Sequence, residues 1–286
     1  MIALGTAQFG MNYGINNKYG KLANKNIFEL LDIAYDNNIR NIDTAKTYGD
    51  SEKIIGEYIE KNKSKKFNII SKISSKDNTL IYQLKNTLKR LKTNKIQTLL
   101  FHSLDVFKYF EREIDSFCLL YKGIYFDELG VSVYTNEEIS YLLLEKKIDR
   151  IQLPFNLLDN YRYRGSFFAL LKKNKIKIDV RSIYLQGLFF MELENFPHYL
   201  SPLRKSIEDL QKISKETGIS LKKLAFGYVN SFDIIDRIIV GVDSVNQLND
   251  LIVDSKFKLE KNTISTLELI KVENLSLLNP SLWKKF

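Results

Sequence analysis

Residues 41–52 read Asn41-Ile42-Asp43-Thr44-Ala45-Lys46-Thr47-Tyr48-Gly49-Asp50-Ser51-Glu52, passing from a short apolar strand through a polar turn into a helical pattern. Beyond the turn, Ile54, Ile55, Tyr58 and Ile59 fall on one helical face, and Ser51 is expected to cap that helix. Two further stretches repeat the arrangement. Phe67–Lys72 ends on Lys72, and Thr98–Phe101 is followed at once by His102. In a parallel barrel the C-terminal ends of the strands meet on one rim, so Asp43, Tyr48, Lys72 and His102 are predicted to be neighbours.

The same alternation runs through the chain. Strands are predicted at Ile2–Gly5, Ile39–Asp43, Phe67–Lys72, Thr98–Phe101, Glu128–Ser132, Arg150–Leu153, Lys177–Ser182 and Ile238–Gly241. Most are apolar on both faces, as strands covered on both sides must be. Amphipathic segments lie between them, one of them expected to be capped by Asn136. With no Pro-, Gly- or Ser-rich linker, residues 1–286 are expected to form one α/β domain, a single (β/α)8 TIM barrel. An open doubly wound sheet competes, but the chain carries neither G-x-G-x-x-G nor G-x-x-x-x-G-K-[ST]. Long rim loops are expected at about 10–24 and 187–204, the second rich in aromatics and containing His198.

Composition narrows the class. The 286 residues carry a formal charge of +9. That excess either draws an anionic cofactor or substrate or simply reflects a Lys- and Asn-rich composition. Nothing resembles a nucleic-acid-binding module, no apolar run can span a bilayer, and the N-terminus lacks a basic secretory region. One cysteine, Cys118, in an apolar helical stretch, fits a packed thiol and a cytoplasmic location. Two distant histidines give no metal-ligand spacing.

The chemistry centres on Tyr48. A free phenol has a pKa of about 10. An ammonium such as Lys72, held by Asp43, is expected to lower that value, while His102 positions a carbonyl oxygen. Here a resemblance becomes specific. The stretch Ile42-Asp43-Thr44-Ala45-x-x-Tyr48-Gly49-x-Ser51-Glu52 resembles the signature of the aldo-keto reductase superfamily. Lys72 and His102 fall where that family places the rest of its tetrad, and Leu4-Gly5-Thr6-x-x-Phe9-Gly10 is similar to its first strand and turn.

The resemblance implies a nicotinamide cofactor extended across the barrel mouth, hydride transfer to a carbonyl carbon, and proton donation by Tyr48. It implies cofactor contacts at Gly5, Thr6, Ser132, Gln152, Ser182, Gln186, Gly187, Gly241, Asp243, Gln247 and Asp250. Phe9, Tyr13, Tyr134 and Phe155 are the expected walls of the substrate pocket, with core packing as the competing reading. Three departures affect the cofactor. Val133 stands where many members have Asn, Leu251 replaces another Asn, and Asp243 stands where a basic residue often holds the 2′-phosphate of NADPH. The family preference points to NADP(H); Asp243 leaves NAD(H) open, because a carboxylate can accept from a ribose 2′-hydroxyl. The seventh-strand loop reads Arg181-Ser182-Ile183-Tyr184, without an obvious stacking aromatic at its start.

The implied substrate is a small polar or sugar-like aldehyde or ketone. The competing readings are a non-catalytic nicotinamide-binding regulatory subunit with the same barrel, or a barrel of other chemistry. The segment around Trp283 is expected over the mouth or against the base, and Lys284-Lys285-Phe286 in solvent.

Overall fold

The computed structural model describes residues 1–17, 20–145 and 147–283. Its strands are β1 (Ile2–Gly5), β2 (Asn41–Asp43), β3 (Asn68–Ile73), β4 (Ile96–Phe101), β5 (Phe126–Ser132), β6 (Arg150–Pro154), β7 (Lys177–Arg181) and β8 (Arg237–Gly241). They close into a barrel in sequence order, every pairing parallel, with β8 returning to β1 through Leu4↔Val240 and Gly5↔Gly241. All eight predicted strands are present. β2 begins at Asn41 rather than Ile39, and β7 stops at Arg181 because Ser182 turns into the left-handed region at φ 58°.

Alternation along the strands builds the interior in levels. At the N-terminal end, Glu128 accepts from Arg150 Nε and from Arg237 Nη2, both at 2.9 Å, and Arg150 Nη1 reaches Asp179 at 2.5 Å. Asp179 is fully buried, and burial pushes its carboxyl up to about 6 against the pull of Arg237 and Arg150. Above these charges lies a small apolar plug of Ala3, Ile70, Leu100 and Ile239. Two residues further along each strand, on the same face, come Gly5, Lys72, His102 and Gly241 at the rim. Outward-facing residues such as Leu4, Ile42, Ile69 and Val180 join the main core under the surrounding helices.

Two expected caps move by one residue. Asp50 precedes the helix Ser51–Lys61, and Ser51 turns inward, donating to Thr6 Oγ1 at 2.8 Å. Thr135 Oγ1 accepts from the Glu138 amide before the helix Asn136–Glu145, while Asn136 Nδ2 reaches the Tyr163 carbonyl. A short helix, Ala7–Gly10, leads into the first long connection, of which Lys18 and Tyr19 lie outside the described residues. The second is wound into 3-10 turns that bury Leu188, Phe189, Leu200 and Leu203, so its apolar content anchors it to the barrel. Trp283 packs on the main core and donates to the Leu277 carbonyl at 2.9 Å; Lys284–Phe286 lie outside the described residues. Cys118 is partly buried against the same core.

Candidate active site

A cleft of about 320 Å³ opens across the C-terminal rim. Asp43 and Tyr48 lie on its floor, Arg181–Gly187 and Tyr13–Asn17 form its sides, and Gly241–Asp243, Gln247 and Leu251 close its far end.

The floor is positioned by the turn after β2. Thr6 Oγ1 donates to the Asp43 carbonyl at 2.9 Å, and Thr44 and Ser51 continue a buried chain of hydroxyls. Glu52 is buried, accepting from Ser71 Oγ at 2.6 Å and Arg90 Nε at 2.5 Å. Gly10 lies directly beneath the Tyr48 turn: a Cβ there would stand 1.8 Å from the Tyr48 carbonyl oxygen and 2.5 Å from the Ser51 amide. Gly49, at φ +57°, presses its backbone onto Gly10 from the other side. The short residues of this motif therefore set the position of Tyr48.

Lys72 is almost wholly buried. Its Nζ lies 2.6 Å from Asp43 Oδ1, 2.9 Å from the Thr44 carbonyl and 3.4 Å from the Tyr48 hydroxyl. The other Asp43 oxygen accepts from Gln152 Nε2 at 2.8 Å. His102 stands edge-on to Tyr48, ring centres 6.0 Å apart, and its Nδ1 is 3.2 Å from Thr47 Oγ1.

Burial dominates the electrostatics. It lowers the Lys72 ammonium and, with help from Lys72 and Arg181, lowers His102 to about 3. His102 is therefore a neutral imidazole at neutral pH. Tyr48 is pushed up, first by burial and then by the Asp43 charge, with Arg181 as the cation opposing the rise. The expectation that Lys72 depresses this phenol is not met, because burial dominates and the Asp43 carboxylate, 2.6 Å from the ammonium, adds to the rise. Tyr48 is held as a protonated hydroxyl.

Gly5, Thr6, Ser182, Gln186, Gly187, Gly241, Asp243 and Gln247 line the cleft. Ser132, the last residue of β5, pairs in register with Gln152 in the middle of β6; both are buried and neither lines the cleft. Asp250 does not line the cleft but pairs at 2.8 Å with Lys222, which does, as does Leu251. Of the aromatics, Tyr13 lines it. Phe9 does not: the turn of Ala7–Gly10 buries it completely and presents Gln8, whose Nε2 donates to the Val242 carbonyl at 2.8 Å. Phe155 is also fully buried, ringed by Phe168 at 5.0 Å, Phe232 at 5.3 Å and Tyr228 at 5.5 Å, because its strand parity is the outward one. Tyr134 stands beside the cleft, covered by the Arg181 guanidinium at 4.2 Å from its ring centre. His198 is exposed and does not line the cleft.

Sequence reading gave no site role to Gln8, Thr47 or Lys222, and none to Arg181, Tyr184 or Phe190 beyond their place in the loops after the seventh strand. For Arg181 a signal existed: Lys177, Asp179 and Arg181 alternate with Ile178 and Val180, which puts the charges inside the barrel. Lys222 reaches the cleft from the helix Leu221–Asn230, a placement no local pattern encodes. Ser182, Leu185 and Gln186 adopt φ of 58°, 47° and 56°, followed by Gly187 at 88°. Three non-glycine residues in the left-handed region mark a costly backbone, of the kind concentrated around ligand sites. It is braced by Ile15 N to the Gln186 carbonyl at 3.1 Å and by Gln186 Nε2 to the Tyr13 hydroxyl at 3.3 Å.

Among the described residues, no group of His, Cys, Asp and Glu is arranged to hold a metal ion, and no helix is long and apolar enough to cross a membrane. The cleft suits an extended organic cofactor. Glycines at Gly5 and Gly241 keep its floor open, and a Cβ at Gly241 would stand 2.6 Å from the Gln8 amide. Tyr184 and Phe190, ring centres 5.3 Å apart, supply aromatic surface.

Comparison with known proteins agrees with this arrangement. An aldo-keto reductase of Bacillus halodurans, solved in its holo form, superposes with a TM-score of 0.76 at 17% identity, covering 94% of this chain and 91% of that one. A Pseudomonas aeruginosa protein provisionally described as an aldo-keto reductase superposes at 0.65 and 20% identity, with 89% and 88% covered. At such identities the likeness establishes the fold. No sequence match is found among curated proteins. The family model described as Aldo/keto reductase family matches residues 1–271. With that match over nearly its whole length, the closed barrel and the cleft at its rim, the chain belongs to the aldo/keto reductase family, oxidoreductases that use a nicotinamide cofactor.

Proposed function

We propose that the protein reduces a small polar aldehyde or ketone, with Tyr48 as the proton donor. One observation carries this reading: the Tyr48 hydroxyl stands on the floor of the cleft 3.4 Å from Lys72 Nζ, itself 2.6 Å from Asp43. The reduced nicotinamide, when bound, supplies the hydride. Tyr48 gives its proton to the carbonyl oxygen as negative charge develops there, and the Lys72 ammonium stabilises the phenolate left behind. Asp43 keeps Lys72 charged despite its burial, and Gln152 holds the second Asp43 oxygen. Neutral His102 donates a hydrogen bond to the same carbonyl oxygen without supplying a full charge. That division of roles matches a phenol kept protonated at neutral pH.

The far end of the cleft supports NADH over NADPH in this reading. Asp243 faces the cleft with no cation paired to it among the described residues, and the Lys222 charge is matched by Asp250. A carboxylate there accepts from a ribose 2′-hydroxyl and repels a 2′-phosphate. Fluorescence titration with NADH and NADPH, followed by aldehyde-dependent loss of the reduced-cofactor absorbance, tests the assignment. Binding with turnover supports it; binding of neither nucleotide by folded protein contradicts it.

A further inference from the structure

Arg181 is a cation in the cleft that lacks the counter-anion the others have. Lys72 has Asp43 at 2.6 Å and Lys222 has Asp250 at 2.8 Å. Among the described residues no carboxylate pairs with Arg181. Its Nη2 donates to the Val133 carbonyl at 3.3 Å and its Nη1 to Ser182 Oγ at 3.4 Å, both long contacts for donors of this kind. One guanidinium face is covered by the Tyr134 ring at 4.2 Å. Tyr134 is itself fixed, its carbonyl accepting from Arg164 Nη2 at 2.6 Å, with Arg164 Nε paired to Asp159 at 2.7 Å.

This is a built position. A guanidinium has five N–H donors in a planar fork that matches a carboxylate or phosphate edge, and stacking on an aromatic ring orients the fork. Arg181 is half-buried, and its partners are neutral oxygens, so a bound anion would offset the cost of its partial desolvation. Strand parity puts Arg181 on the same inner face as Asp179 and two residues nearer the rim, in register with Pro154 on the neighbouring strand, and it lines the cleft together with Tyr48. Its field reaches Tyr48, Tyr13, Lys72 and His102. Tyr13, exposed at the cleft edge, adds a second hydroxyl to the same space, its oxygen accepting from Gln186 Nε2 at 3.3 Å.

We propose that Arg181 anchors an anionic group of the substrate, so that the compounds reduced at this site carry a carboxylate or phosphate close to the reacting carbonyl. The inference rests on the reductase reading above and names its substrate class.

Matched pairs test the claim: succinic semialdehyde against butanal for a carboxylate, and glyceraldehyde 3-phosphate against glyceraldehyde for a phosphate. In the wild type, kcat/KM for the charged member of at least one pair is expected to exceed that of its neutral counterpart by about 10- to 100-fold. The larger ratio tells carboxylate from phosphate. Arg181→Gln is expected to bring that ratio near one, and Arg181→Lys to leave an intermediate value because the fork is lost and the charge kept. A purely structural role for Arg181 would lower both members of a pair equally and preserve the ratio, which overturns the proposal. So does a wild-type ratio near one in both pairs. If Arg181→Gln instead weakens NADH binding in fluorescence titration by the factor lost in turnover, the anion is the cofactor's own phosphate and the proposal falls. Should that variant not fold, the wild type decides through inhibition of butanal reduction by propionate and by inorganic phosphate. Inhibition competitive with butanal supports the anchor, and none by either anion contradicts it. Failure to reduce either member of both pairs overturns the reductase reading itself, whereas equal rates overturn only the anchor.

Discussion

The side-chain amide of Gln152, on β6, donates to Oδ2 of Asp43, on β2, at 2.8 Å, while Lys72 holds Oδ1 of the same carboxylate at 2.6 Å. Asp43 is thus divided between two strands, and a contact across the barrel mouth joins two separate parts of the rim. Replacing Gln152 by Leu leaves a buried carboxylate oxygen without its donor. The expected cost is about 1–3 kcal/mol in urea unfolding. A variant as stable as the wild type would mean that the contact contributes nothing.

Gly10 sets the height of the Tyr48 turn. In Gly10→Ala the new methyl would stand 1.8 Å from the Tyr48 carbonyl oxygen, an approach that only backbone movement relieves. Misplacement of about 1 Å in a catalytic group can cost about 100-fold in rate. Turnover by Gly10→Ala is therefore expected to fall by about that factor while the circular dichroism of the barrel persists. Unchanged kcat would show that the turn tolerates the shift.

His102 governs part of the acid response. Its folded-state value is lowered to about 3 by burial, Lys72 and Arg181, against 6.5 for an unperturbed imidazole. Between those values the unfolded chain binds a proton that the folded chain refuses. Stability contributed by keeping His102 neutral is therefore present above about pH 6.5 and lost as pH falls toward 3. In His102→Gln, the slope of unfolding free energy against pH should flatten in that window. Imidazole resonances are expected to show His102 neutral at pH 5; a midpoint near 6.5 would contradict the burial argument.

Nucleotide preference turns on Asp243. Removing its carboxylate in Asp243→Ser is expected to raise the affinity for NADPH relative to NADH by about tenfold, since one repelled phosphate charge is worth about 1 kcal/mol or more in a partly buried site. Side-by-side fluorescence titrations measure the ratio. If it does not move, Asp243 does not face the ribose.

The sequence carried the barrel because each strand had a β-branched core and each following helix an apolar face, as with Ile54, Ile55 and Tyr58 after β2. It carried the placement of Asp43, Tyr48, Lys72 and His102 because all four lie at or just after strand ends, where topology dictates their meeting. Residues whose place depends on packing were less legible. Phe9 and Phe155 looked like pocket walls, yet a one-turn helix and an outward parity bury them, and Gln8 takes the place facing the cleft. Asp250 does not line the cleft; it pairs with Lys222, which comes from a different helix and does. The phenol's direction of shift was less legible for a related reason: the charge on Lys72 was visible in sequence, but the burial that raises Tyr48 and the nearby Asp43 charge that adds to it depend on packing.

The most direct test of the central claim is Tyr48→Phe, with single-turnover reduction of a carbonyl substrate and cofactor affinity measured on the same preparation. The variant removes one hydroxyl oxygen and leaves the ring beside His102 and Lys72. Loss of general-acid assistance predicts a rate at least about 100-fold lower, with the Kd for the reduced cofactor changed by less than about threefold, under about 1 kcal/mol. A variant that turns over at the wild-type rate would show that the proton comes from elsewhere.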